Sequence, residues 1–293
     1  DMLKIGVGPS SSHTLGPWRA AQRFLAELDE HGAFEAVVRL RIDLYGSLAL
    51  TGVGHGTDLA VLLGLSGEDP ETIPVGAVLD IPHAAREEGR LRLGNRRCLP
   101  FDYASDLHFH YSESLPYHAN GLCLSALDEA GIVLRQSTYY SIGGGFVVRE
   151  GEDECPSAVR LRYPIQNARA LARYCLKENA AIWEIILENE RAWRPPSATK
   201  AGLLRIWEVM KQAVYRGCHT EGVLPGGLAV TRRAPAIARK LLGRSDYHNA
   251  DEWIERLQRS NPTFSTINKW IGCFAMAVNE ENASFGRIVT APT

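Results

Sequence analysis

The run Gly6-Val7-Gly8-Pro9-Ser10-Ser11-Ser12-His13-Thr14-Leu15-Gly16-Pro17 sets three serines, a histidine and a threonine between glycines and prolines, directly ahead of a helical pattern. Glycine reaches backbone conformations closed to other residues, and proline fixes φ. Five successive polar side chains, Ser10 to Thr14, therefore stand at a helix entrance, where free N–H groups and the helix dipole favour an anion. That chemistry is a pocket for a small carboxylate or phosphate. The competing reading is a serine-rich turn, since Ser and Thr favour helix caps for backbone reasons alone. The sequence has neither the Gly-x-Ser-x-Gly of a serine hydrolase elbow nor the Gly-Lys-Ser/Thr of a Walker loop.

A second chemical segment is Tyr45-Gly46-Ser47-Leu48-Ala49-Leu50-Thr51-Gly52-Val53-Gly54-His55-Gly56-Thr57-Asp58. Glycines on both sides leave the His55 imidazole approachable, and Thr57 or Asp58 is placed to orient its ring and set its tautomer. A histidine titrating near neutrality is the commonest general base; the alternative is an exposed loop histidine. In a third segment, Leu224 to Pro235, Arg232 and Arg233 precede a helix start and have the geometry to grip a carboxylate, although such tandem arginines more often lie on the surface. Of the six cysteines (Cys98, Cys123, Cys155, Cys175, Cys218 and Cys273), only Cys218 has a histidine beside it. No Cys-x-x-Cys occurs, and without a secretion signal the thiols point to a reducing cytoplasm and to buried apolar roles.

These residues need elements to hold them. Pro17 suits the first turn of a helix on which Trp18, Ala21, Leu25 and Leu28 recur at helical spacing. Val38, Leu40, Ile42 and Leu44 alternate with charged residues as in a half-buried strand. Leu59–Leu65 reads as a helix, and 122–127 with 132–140 as a hairpin turning at Asp128-Glu129-Ala130-Gly131, before Gly143-Gly144-Gly145 interrupts the sheet. An acidic stretch, Glu150 to Ser157, reads as a linker. Beyond it helices dominate: one capped by Asn179 with Ile182, Ile185, Ile186 and Trp193 on one face, then patterns over 200–216, 235–242, 251–258 and 266–279, with 282–293 irregular. The fold class is α+β, with a partly antiparallel sheet in an N-terminal α/β domain followed by a mostly helical domain.

The 293 residues suffice for a large core and about two domains. Hydrophobic content is 45% and charged content 23%, as in ordinary globular chains. With 32 Lys+Arg against 34 Asp+Glu there is no basic footprint for nucleic acid. No apolar run approaches the ~18 residues of a membrane span. The N-terminus lacks an initiator methionine, which suggests a piece of a longer protein.

Taken in order, these segments, together with Tyr140-Ser141-Ile142-Gly143-Gly144-Gly145-Phe146 and Gly286-Arg287-Ile288-Val289-Thr290-Ala291-Pro292-Thr293, resemble the iron-sulfur-dependent L-serine dehydratases (L-serine ammonia-lyases). The resemblance implies a β domain over 1–150, a linker over 151–165 and the start of an α domain over 166–293. It implies dehydration of L-serine to pyruvate and ammonia, with no nucleic-acid or membrane partner and a homodimer in the complete enzyme. His55 is the implied base for the Cα proton. Ser10, Ser11, Ser12, His13 and Thr14 are implied to hold the carboxylate, with Thr57, Asp58 and Asn282 in the same cleft. A [4Fe-4S] cluster held by three cysteines acts as Lewis acid in the family. Its cysteines lie downstream of the Val-Thr-Ala-Pro-Thr segment on which this chain ends, and none of the six cysteines here matches them. The expectation is a substrate-holding piece, truncated at both ends, without metal ligands and inactive alone. A second hypothesis is a non-catalytic module that binds a small carboxylate or amino acid. A pyridoxal-phosphate dehydratase fits poorly, because no lysine lies in a glycine-rich motif.

Overall fold

In the computed structural model, which describes residues 2–152, 159–243 and 246–291, the chain divides into two units: residues 1–152 with 209–293, and residues 153–208. The first unit opens with β1 (Lys4–Val7), α1 (Gly16–Glu30) and β2 (Arg39–Tyr45). Three helices follow in close succession: α2 (Gly46–Leu50), α3 (Gly52–His55) and α4 (Thr57–Leu65). Then come α5 (Ala77–Glu88), the hairpin β3 (Arg90–Leu93) and β4 (Arg97–Pro100), α6 (Tyr103–Asp106), β5 (Leu107–His110), β6 (Gly121–Leu127), β7 (Val133–Ser141) and β8 (Val147–Arg149). The second unit holds α7 (Ala168–Glu178), α8 (Ile182–Glu190) and the first part of α9 (Pro196–His219). From Val209 the chain belongs to the first unit again, with α10 (Ala234–Leu242), α11 (Ala250–Arg259), α12 (Phe264–Ala283) and β9 (Arg287–Thr290).

A five-stranded mixed sheet in the order β5-β2-β6-β7-β8 is the frame of the first unit. β2 runs parallel to β5 and antiparallel to β6, and the remaining pairs are antiparallel. The expected alternation holds over Arg39–Ile42 of β2 and breaks at Asp43: Leu40, Ile42 and Leu44 are buried and Arg39 and Arg41 exposed, but Asp43 is buried too, where Arg41 and His110 donate to it. α1 buries Trp18, Ala21, Phe24, Leu25 and Leu28, while α4 is buried almost all round. Phe24 and Leu28 of α1 and Leu62 and Leu65 of α4 share one core with Ile42, Leu44, Leu124 and Tyr139 of the sheet. Each such side chain contributes about 2 kcal/mol by leaving water. The architecture is α+β, as its patterning indicates.

One polar residue interrupts this apolar contact. Glu27, on the buried face of α1, accepts hydrogen bonds from Ser137 Oγ (2.7 Å), Tyr139 Oη (2.8 Å) and Arg135 Nη2 (2.6 Å), and Arg149 lies 3.2 Å away. Burial pushes its carboxyl pKa up, but the bonds from Ser137, Arg135 and Tyr139 outweigh burial and hold it at about 2. The network fixes α1, and with it the serine run, over β7.

The chain's two ends meet in a second sheet. β1 pairs antiparallel with β9, Lys4 opposite Thr290 and Val7 opposite Arg287. The stretch expected to be irregular from Asn282 is thus the last turn of α12 and a strand; Pro292 and Thr293 lie outside the described residues. Residues 153–158 of the expected linker, with Cys155, also lie outside them.

Asn179 corrects another expectation. It closes α7 in the left-handed conformation (φ 47°) rather than opening α8, because asparagine tolerates that region almost as glycine does. The N-cap of α8 is Ala181, whose N–H donates to the Glu184 carboxylate at 2.7 Å. Ile185 is buried, whereas Ile182 and Trp193 are exposed, so the four residues do not share a buried face. Among the described residues no helix is long and apolar enough to cross a membrane.

Glu27→Gln leaves Arg135 and Arg149 facing a neutral amide, and a urea unfolding curve is expected to show a loss of about 3 kcal/mol. Because folding lowers the Glu27 pKa from 4.5 to about 2, its stabilising effect is complete above about pH 4.5 and is lost as pH falls towards 2. The acid-unfolding transition should accordingly be less steep in the Gln variant.

Candidate active site

The serine run folds as its residue types require. Ser10 has extended backbone (φ −139°, ψ 137°); its Oγ accepts from His13 N and its own N–H donates to Thr14 Oγ1 at 3.2 Å. Residues Ser11–Leu15 then make a π-helical turn that leads into α1. Such wide turns are uncommon and frequent at functional sites.

Two reciprocal bonds tie this turn to the second chemical segment. Thr14 Oγ1 donates to the His55 carbonyl at 2.8 Å, and Thr57 Oγ1 donates to the His13 carbonyl at 2.6 Å. Both threonines are buried. Their hydroxyls, expected among the substrate-holding groups, join the two turns instead. As a result the His13 and His55 rings lie 4.9 Å apart, centroid to centroid.

His55 ends α3. Gly56 follows with φ 62°, and a Cβ there would come within 2.5 Å of the Phe285 ring, so both backbone and space call for glycine. The His55 ring is oriented by the Thr51 carbonyl, 3.0 Å from Nδ1, and not by Thr57 or Asp58 as the sequence suggested. A carbonyl only accepts, so Nδ1 carries a proton and Nε2 is the ring nitrogen left to take one. That is the form a general base requires. Asp58 turns elsewhere: it is buried and accepts from Tyr103 Oη, and its Oδ1 has no partner among the described residues. Burial pushes its carboxyl up, with the Tyr103 bond acting in the opposite sense.

His13 has hydroxyls at both ring nitrogens, Ser12 Oγ at Nδ1 and Ser47 Oγ at Nε2, each at 2.9 Å. Its pKa is lowered first by burial and then by the neighbouring His55, while the Ser47 bond opposes both. Ser47 was not singled out from sequence, although it lies in a segment that was. A hydroxyl two residues beyond the end of a strand is common, and only the fold brings it to His13.

Beside the serine run opens a cavity of about 470 Å³, walled by residues 7–12, by Ala275, Val278, Asn279 and Asn282 of α12, and by Ile288, Thr290 and Ala291. Of the predicted binding residues, Ser10, Ser11, Ser12 and Asn282 line it; His13, Thr14, His55, Thr57 and Asp58 do not. Asn282 also clamps the run, because its Nδ2 donates to the Pro9 carbonyl at 2.9 Å. The approach is close enough that a Cβ on Gly8 would sit 2.1 Å from the Asn282 carbonyl oxygen. A further cavity of about 580 Å³, lined by Arg86, Tyr103 and Asp106 among others, contains none of these residues.

Of the tandem arginines, Arg232 grips a carboxylate with its side chain, but an internal one. Buried Arg232 donates to Glu281 Oε1 at 2.7 Å, Arg216 donates to Glu281 Oε2 at 3.0 Å, and the Arg233 backbone N–H donates to Glu280 at 2.8 Å. These bonds fix the end of α12, and so Asn282, in place. For a metal cluster the thiols do not fit. Cys218 and Cys273 approach to 4.0 Å, and among the described residues no group of three cysteines, histidines or carboxylates is positioned to hold a metal ion. A three-thiolate [4Fe-4S] site is therefore not formed by the residues described.

Two family models match the chain, "Serine dehydratase beta chain" over residues 1–152 and "Serine dehydratase alpha chain" over residues 177–293. Among curated proteins, the L-serine dehydratase of Streptomyces coelicolor is 43% identical over 297 residues, across all of this chain and 62% of its own length. The L-serine dehydratase of Haemophilus influenzae is 38% identical and L-serine dehydratase 1 of Escherichia coli 39% identical, each again across all of this chain and 62% of the relative. The chain thus spans less than two thirds of the length of these relatives.

Replacing His55 removes one of the two causes that depress His13. In His55→Gln, an NMR titration of the imidazole carbons is expected to place the His13 pKa higher than in the unsubstituted chain; an unchanged value would mean that the rings do not interact. Gly8→Ala should push Asn282 off Pro9 and lower the thermal midpoint by several degrees, as a loss of about 1–3 kcal/mol from overpacking implies.

Proposed function

This chain belongs to the serine dehydratase family, and we propose that its first unit binds L-serine for dehydration to pyruvate and ammonia. The observation that carries the reading is that residues 8–12 and Asn282 wall one cavity, while the same run continues into His13, whose ring lies 4.9 Å from that of His55. The substrate carboxylate lies at the serine run, where hydroxyls and helix-start N–H groups gather. His55 takes the Cα proton at Nε2, with the Thr51 carbonyl stabilising the Nδ1–H of the imidazolium that forms. His13, held in place by Ser12 and Ser47, keeps a low affinity for protons beside it. Loss of the Cα proton and the β-hydroxyl gives an enamine, which becomes pyruvate and ammonia in water. The iron-sulfur cluster implied by the family resemblance would need ligands other than the cysteines described here.

That last point favours a second reading for these 293 residues on their own, an amino-acid-binding module without turnover. Calorimetric titration distinguishes binding from its absence: saturable uptake of L-serine is expected, with D-serine at least about tenfold weaker. No heat of binding at millimolar L-serine would sink both readings. After anaerobic reconstitution with ferrous iron and sulfide, this chain is expected to release no pyruvate from L-serine. Serine-dependent pyruvate would show that the cysteines here suffice after all.

A further inference from the structure

Among the described residues, the cavity beside the serine run has no charged side chain in its wall, since its lining consists of glycine, proline, apolar residues, serines, Asn279, Asn282 and Thr290. A lone anion or cation bound there would leave its charge without a counterion, at a cost in desolvation. A zwitterion carries no net charge and needs only neutral dipoles at each end. The dipoles at one end are the serine hydroxyls. At the other end the helix offers two amides three residues apart on one face of α12, Asn279 and Asn282. Asn282 donates one amide N–H to Pro9 and keeps its Oδ1 as an acceptor. Asn279 has no hydrogen-bond partner among the described residues and is exposed on the cavity wall.

We propose that Asn279 is a substrate-binding residue whose amide oxygen accepts a hydrogen bond from the α-ammonium of an α-amino acid, with the carboxylate at the serine run. The assignment rests on the reading of this cavity as the L-serine site and adds to it the group that distinguishes an amino acid from a hydroxy acid. Asn279 plays no part in the packing of α12, so its variants are expected to fold, which thermal unfolding checks.

The test pairs two probes with two variants. L-serine and 3-hydroxypropanoate share the carboxylate and hydroxyl, and only L-serine has the ammonium. Titration of the full chain with each should show that Asn279→Ala weakens L-serine about tenfold, the loss of a hydrogen bond to a charged group, and changes 3-hydroxypropanoate less than twofold. Asn279→Asp, which supplies a charged acceptor, should keep L-serine and repel 3-hydroxypropanoate. An Ala variant that binds L-serine as the unsubstituted chain does, or that weakens both probes equally, overturns the role of Asn279 while leaving the L-serine site standing. If the unsubstituted chain binds no L-serine, the site reading fails and the assignment fails with it.

Discussion

The pairing of β1 with β9 is the constraint on which the rest of the site depends. It joins residues far apart in the sequence, Lys4–Val7 and Arg287–Thr290, in antiparallel register, so the closed loop is long. Closing a flexible loop of that length costs several kcal/mol of chain entropy. Four strand residues on each side do not offset that cost unaided. The supplement is electrostatic: Glu281, buried at the end of α12, is held by Arg216 and Arg232, and Arg216 also donates to the Arg287 carbonyl at the start of β9. With this corner fixed, Asn282 reaches Pro9 and the serine run acquires a second wall. Without it, residues 8–12 would be a capped helix start open to water on one side.

Chemistry-bearing residues were easier to read from the sequence than their geometry. Ser10 was legible because a hydroxyl before a helix does one of few things, and it does cap the turn. The left-handed turn after His55 was legible because glycine is the residue that most readily adopts it, and Gly56 does so. The partners of these residues were not legible, since they depend on which distant segment arrives. Thr14 and Thr57 have the right chemistry to bind a carboxylate, and each finds a backbone carbonyl first. Arg232 has the right chemistry to grip a substrate, and Glu281 occupies it.

The elements show the same division. β2, α1 and α4 follow from periodicity because each is long enough for a pattern to declare itself. β1 and β9 are four residues each, too short for alternation to be distinguished from a loop, and β9 directly follows a helix and a turn. Asn179 failed for a different reason. The same side chain serves a helix start through its oxygen and a helix end through its tolerance of positive φ, and nothing local decides between them.

Glu280, Glu281 and Asn282 are consecutive, yet each secures a different segment: the start of α10, the arginine pair, and the loop after β1. The three attachments share one helical turn, so fraying of that turn releases all of them together. The local opening of this corner is consequently a single cooperative event, and amides of the serine run, of α10's first turn and of β9 belong to one unit of hydrogen exchange despite their distance in sequence. In a site assembled from segments 273 residues apart, the integrity of the pocket is a property of three residues that touch no histidine.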